Sequence, residues 1–201
     1  MLLNIASQLL MLVAFLIQAP TTPLRIGDVG RQLTEQDVVA IEMVLPAKPW
    51  LLSGERTWGE HVEAYLAPTT TAPALRRGTV IGLMRRTVSE WSVVQRTWSY
   101  AQVAIPGRRF DEIDGDQDVN RPFYVLSSFD DDELVRIVQL IRSNPPTRGT
   151  PIQAWPIRSI QRKEDGSVDV LLRETSTGGQ AVKVREVGQD WIIMGTGTWD
   201  T

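Results

Sequence analysis

Residues Phe129 to Trp199 constrain the fold more than any other stretch, because capping, hydrophobic period and turn chemistry agree there. Asp130 is placed to N-cap a helix, its carboxylate accepting from backbone N–H groups that lack a helical partner. Glu133 stands three residues on, where a capping-box acid reaches back, and Phe129 and Leu134 form the ends of a hydrophobic staple. Asp131 and Asp132 face the positive end of the helix dipole, and Arg142 faces the negative end. Leu134, Ile137, Val138 and Ile141 make one buried stripe. Asn144-Pro145-Pro146 stops the helix, since proline lacks the donor and clashes with the preceding turn.

Four strands are predicted after it. Trp155 to Arg162 runs into Glu164-Asp165-Gly166, a hairpin signal. Val168, Val170 and Leu172 alternate with Asp169, Leu171 and Arg173. A Ser/Thr/Gly turn over Thr175 to Gly179 leads to Val182 and Val184, which alternate with Lys183 and Arg185. Gly188-Gln189-Asp190 turns into Trp191 to Trp199. Connections this short force neighbours to pair antiparallel, so the tail reads as a four-strand meander whose one face the helix covers.

Upstream, Leu33-Thr34-Glu35-Gln36-Asp37-Val38 repeats the capping logic: Thr34 caps, Asp37 sits three residues on, and Leu33 staples to Val38. Val38, Ile41 and Leu45 mark the buried face of a helix that Pro46 and Pro49 end. Thr57 to Leu66 reads as a short helix, and Pro68 to Pro73 as a loop. Thr79 to Arg86 and Trp91 to Ile105 read as a hairpin of strands through Thr87 to Glu90. Pro106-Gly107 closes the second, and an acidic loop follows to Val119. No internal repeat is evident.

The first charged residue is Arg25, and Leu9 to Ile17 is an unbroken apolar run of nine. A membrane-spanning helix needs roughly 20 residues, so the run suits the apolar part of a secretory signal better. Residues 1–19 are read as a signal peptide or a membrane anchor, 20–33 as a linker, and 34–201 as a single α+β domain. The expected location is therefore exported, periplasmic or extracellular, with possible attachment through the N-terminal segment. The chain has no cysteine, which removes disulfides, thiolate metal sites and cysteine nucleophiles.

The candidate sites are sparse. Asp111, Glu112, Asp114, Asp116 and Asp118 put five carboxylates in eight residues, which invites calcium. The register fails, because with Gly115 at the loop's sixth position the first and twelfth ligands fall on Phe110 and Arg121. A solvated turn is the plainer reading. His61, the single histidine, lies beside Glu60 and Glu63 and suits a base or one metal ligand. One histidine without cysteine makes a poor zinc site, and no Gly-x-Ser-x-Gly elbow supplies a serine for it. Arg76, Arg77, Arg85 and Arg86 bracket a strand and could meet an anionic partner or lipid headgroups, or be solvated strand ends. The net charge of −3 argues against nucleic acid. Gly195-Thr196-Gly197 is too short for a phosphate loop and reads as a bend where backbones approach closely. Trp50, Trp58, Trp91, Trp98, Trp155, Trp191 and Trp199 could line an apolar pocket, but core packing is the simpler use. No residue is nominated as catalytic, cofactor-binding or metal-ligating, and no cofactor is expected.

The order of elements, a helix over 34–45, strands near 79–105, a helix over 130–143 and a meander over 155–199, resembles the nuclear transport factor 2-like (cystatin-like) superfamily. Ile157-Arg158-Ser159-Ile160, the Asp165-Gly166 turn and Trp191-Ile192-Ile193 are similar in flavour. The resemblance implies an α+β fold with an N-terminal helix, a strongly curved antiparallel sheet packed on helices as a cone, and the C-terminal meander. That family hosts isomerases, dehydratases, pocket-binding proteins and structural subunits, so it does not choose a function. Its isomerases use an acid and a tyrosine in the cone, and neither maps to a numbered position here. The layout, with a hydrophobic N-terminal segment, is also similar to the periplasmic assembly subunit of type IV secretion systems. The expected function is an exported non-catalytic module binding a protein partner or an apolar small molecule. The alternatives are a pocket enzyme using carboxylate acid–base chemistry and a membrane-anchored assembly subunit.

Overall fold

The computed structural model describes residues 22–54, 60–69, 72–143, 154–173 and 178–200. The segment 1–19, the Asn144-Pro145-Pro146 stop, most of the Thr175 to Gly179 turn and Trp58 lie outside the described residues. Among them, ten strands form one sheet in chain order. The strands are β1 (Leu24–Ile26), β2 (Pro49–Gly54), β3 (His61–Leu66), β4 (Leu75–Thr87), β5 (Glu90–Val103), β6 (Phe123–Val125), β7 (Ile157–Arg162), β8 (Val168–Arg173), β9 (Gly178–Val187) and β10 (Asp190–Asp200). The helices are α1 (Val29–Gln32), α2 (Glu35–Val44) and α3 (Asp131–Ser143).

The expected cone of antiparallel sheet wrapped on helices is not what forms. The protein is dominated by strand, and its sheet is mixed, because β1 pairs with β2 and β6 with β7 in parallel. Parallel neighbours require a crossover connection, which α1 with α2 supplies in one case and α3 in the other. The described part of the expected helix over Thr57 to Leu66 is the strand β3. It alternates, with Val62, Ala64 and Leu66 packing in the cluster that α2 covers and Tyr65 in a cluster with Leu51 and Tyr100. The expected linker over 20–33 carries β1 and α1, and Ile26, Val29 and Leu33 are buried.

The capping signals work locally. Thr34 accepts from the Asp37 N–H while Asp37 accepts from the Thr34 N–H, the reciprocal box that starts α2. Asp130 accepts from the Glu133 N–H at 2.7 Å, but the Glu133 carboxylate turns to Arg162 instead of closing a box. Arg142 serves the loops rather than the helix end: it donates to Trp155 O at 2.7 Å and Val119 O at 3.0 Å. Burial brings its guanidinium down to about 10.

β4 and β5 run beneath α2 and α3. On β4, Ile81 and Leu83 pack in the α2 cluster with Val38, Ile41 and Trp91. Leu75, of the same parity, packs in the α3 cluster with Leu134, Ile137, Ile141 and Trp191.

The sheet is a duplication. Apart from α1, which has no counterpart among the described residues, β1–α2–β2–β3–β4–β5 and β6–α3–β7–β8–β9–β10 have the same order, the same parallel first pair and the same antiparallel sequel. The cross-sheet row Leu52, Ala64, Ile81 matches Ile160, Val170, Val182. Both units shift register at a matching place in the second strand pair, between Pro49 and Leu51 and between Ile157 and Ser159. Trp91 and Trp191 each follow the last hairpin turn.

Candidate functional site

The best-defined polar cluster lies on the seam between the units. β3 alternates, so the strand that packs Val62 and Ala64 under α2 turns Glu63 and Tyr65 to the other face. Glu63 is only 7% exposed. Its carboxylate accepts from the Tyr65 hydroxyl at 2.9 Å and from the Tyr124 hydroxyl on β6. Arg121, 8% exposed, donates to Ser53 Oγ at 2.7 Å and to the Asp116 carboxylate. Burial, followed by the charge of Glu63, pushes the Tyr65 phenol well above its ordinary value, so it stays a donor. Pro156, Ile157, Arg158 and Arg173 close the cleft from the second unit.

The space left in this cleft is about 20 Å³. That is room for a single water, whereas ligand sites run to roughly 300–1,000 Å³. A carboxylate between two phenols is chemically an acid–base pair, but here both of its oxygens already accept from the phenol hydroxyls.

The acidic loop is a solvated turn only in part, with Glu112, Asp114 and Gln117 exposed. Asp118 is buried and accepts two bonds from Arg108, at 2.8 and 2.6 Å, and others from the Asp114 and Asn120 N–H groups. Burial alone would raise its carboxyl, but those bonds hold it below the ordinary value. Asp111 pairs with Arg109, and Asp116 with Arg121. Gln102 and Asn120 stitch the loop through backbone carbonyls of Phe110, Arg109 and Glu112. Arginine therefore neutralises Asp111, Asp116 and Asp118, three of the five carboxylates that suggested calcium, and no metal-holding group of three occurs among the described residues.

His61 lies half-buried at the start of β3, its ring over Gly82, and makes no hydrogen bond or ion pair among the described residues. The basic bracket is used internally. Arg77 donates to Asp131 at 2.7 Å and Phe129 O at 3.0 Å, and Arg85 pairs with Asp37 at 3.3 Å. Arg86 bonds Ser92, and Arg76 stacks on Trp50 and Phe110. Gly195 and Gly197 face open space, so the expected close backbone approach does not occur, although a register shift falls between Ile193 and Gly195. Trp91 and Trp191 are core, and Trp50, Trp98, Trp155 and Trp199 are half-buried.

Sequence reasoning missed Tyr65, Tyr124 and Arg121. The one signal for them was Glu63 inside an otherwise apolar alternation, an acid that a strand reading of 61–66 would have had to bury.

No protein-family model, curated protein sequence or solved structure matches the chain. No helix among the described residues is long and apolar enough to cross a membrane.

Proposed function

We propose that the chain is an exported, non-catalytic interaction module whose partner is a protein. The observation that carries this reading is the Glu63 cleft: the most enzyme-like group among the described residues is enclosed by Tyr65 and Tyr124, with space for one water. Exposed apolar side chains supply a binding surface, with Val39 and Met43 on one face of α2 and Ile192 and Met194 on β10. Native mass spectrometry of the full chain from its own host tests it. A retained protein partner supports the module. A retained small molecule lost in Glu63→Gln overturns it.

Export rests on the apolar run within residues 1–19. A mature chain that has lost this segment fits a signal peptide, and one that keeps it fits an anchored assembly subunit. A second reading, an acid–base enzyme, has the Glu63–Tyr65–Tyr124 grouping in its favour. It requires the two phenols to swing aside, and crystals soaked with small carbonyl compounds would reveal that opening.

A further inference from the structure

In the first unit the outer edge of the last strand is occupied. β5 pairs with β6 through Ser99–Val125, Tyr100–Tyr124 and Ala101–Phe123. In the second unit the matching strand, β10, pairs among the described residues only with β9, and its matching residues are Thr198, Trp199 and Asp200. At the other end of the sheet β1 pairs, among the described residues, only with β2, and β1 matches β6. Each chain thus presents one half of a junction at each end, and the complete junction is seen inside it.

The helices agree. Counting from the caps Thr34 and Asp130, Val39 and Val44 of α2 match Val135 and Leu140 of α3. Val135 and Leu140 pack against a core that includes Leu75, Ala101 and Val103 of the preceding unit. Val39 and Val44, with no such core against them among the described residues, are 59% and 39% exposed. β10 also carries neither charge nor proline between Asp190 and Asp200, the usual devices that keep an edge from pairing.

We propose that the occupant of both edges is a second copy of this chain, bound head to tail, with β10 of one copy antiparallel to β1 of the next. The internal junction sets the register: Thr198 opposite Arg25 and Trp199 opposite Leu24, with Pro23 ending the ladder opposite Asp200. Such an interface is heterologous, so it builds chains or rings instead of closed two-fold dimers. The inference rests on the interaction-module reading and names its partner.

Because the chain has no cysteine, disulfide trapping is clean. Residues opposite each other in an antiparallel pair lie about 4.5–5.5 Å apart at Cα, within disulfide reach. Full-length Thr198→Cys and Arg25→Cys chains are oxidised separately and mixed. The opposed pair Asp200→Cys and Pro23→Cys replaces them if Arg25→Cys melts early. A linked dimer in the mixture only, and a ladder of multimers from the double variant, is the expected result. Linkage of Thr198→Cys with itself overturns the proposal in favour of a two-fold dimer. No linkage, with a sedimentation coefficient unchanged as concentration rises, overturns self-assembly altogether. The interaction reading then still stands or falls separately, on whether native mass spectrometry shows a foreign protein or a small molecule.

Discussion

Tyr100 and Trp199 hold the same place in the two units, and each ring donates to the carbonyl oxygen of a matching residue. Tyr100 reaches Leu66 O at 2.8 Å and Trp199 reaches Leu172 O at 3.0 Å. A phenol and an indole thus satisfy one backbone acceptor, which is why the duplication persists in bonds but not in letters.

Tyr100→Phe removes that donor and also the acceptor for Trp50 Nε1 at 3.0 Å. A buried carbonyl and a half-buried indole N–H lose their partner, so the expected loss is about 1–3 kcal/mol. A lower urea midpoint with an unchanged slope measures it.

Burial pushes the Tyr100 phenol up to about 12. The unfolded phenol titrates near ~10. The folded value is the higher one, so this contribution is fully present below the unfolded value and is lost as pH rises from there through the folded one. Absorbance at the phenolate band during alkaline titration follows it, and Tyr100→Phe flattens the upper part of the stability profile.

Trp91 and Trp191 are matching residues with different fates. Trp91 Nε1 donates to Asp37 Oδ1 at 3.1 Å, whereas Trp191 Nε1 is buried without a partner among the described residues. Trp91→Phe is therefore expected to cost more than Trp191→Phe, by about 1–2 kcal/mol, because only the first breaks a charge-assisted bond. Chemical denaturation of the two variants side by side decides it, and equal losses would refute the asymmetry.

Asp37 is 1% exposed. Burial opposes its charge, but bonds from Thr34 and Trp91 and the nearby Arg85 outweigh this and lower its value. A lowered folded value means stability present above the unfolded value and lost as pH falls through the folded one. Asp37→Asn is expected to unfold more easily at neutral pH and to show a shallower acid limb, read from melting temperature against pH.

Gly27 has φ +68°, and a methyl group there would sit 2.7 Å from Asp116 Oδ1, the oxygen paired with Arg121. Gly107 has φ +79° with nothing within 4 Å. Gly107→Ala is expected to show the left-handed backbone cost alone, about 1–2 kcal/mol. Gly27→Ala is expected to lose more, through the displaced Asp116, and the difference in melting temperature reports the seam.

What the sequence determined by itself is what depends on neighbours a few residues away. The Thr34–Asp37 box, the Asp130 cap, the alternation of Val168, Val170 and Leu172, and the two-residue turn before Trp191 all act within one turn or hairpin. The tertiary structure decided the rest. β3 is a strand because its apolar alternation is buried between β2 and β4, and short apolar runs do not distinguish helix from strand. Glu63 became a buried acid only when Tyr124, 61 positions along the chain, closed over it. The parallel pairs, the duplication and the two edges left unpaired among the described residues are properties of backbone register, which many side chains satisfy equally well, so no pattern of letters recorded them.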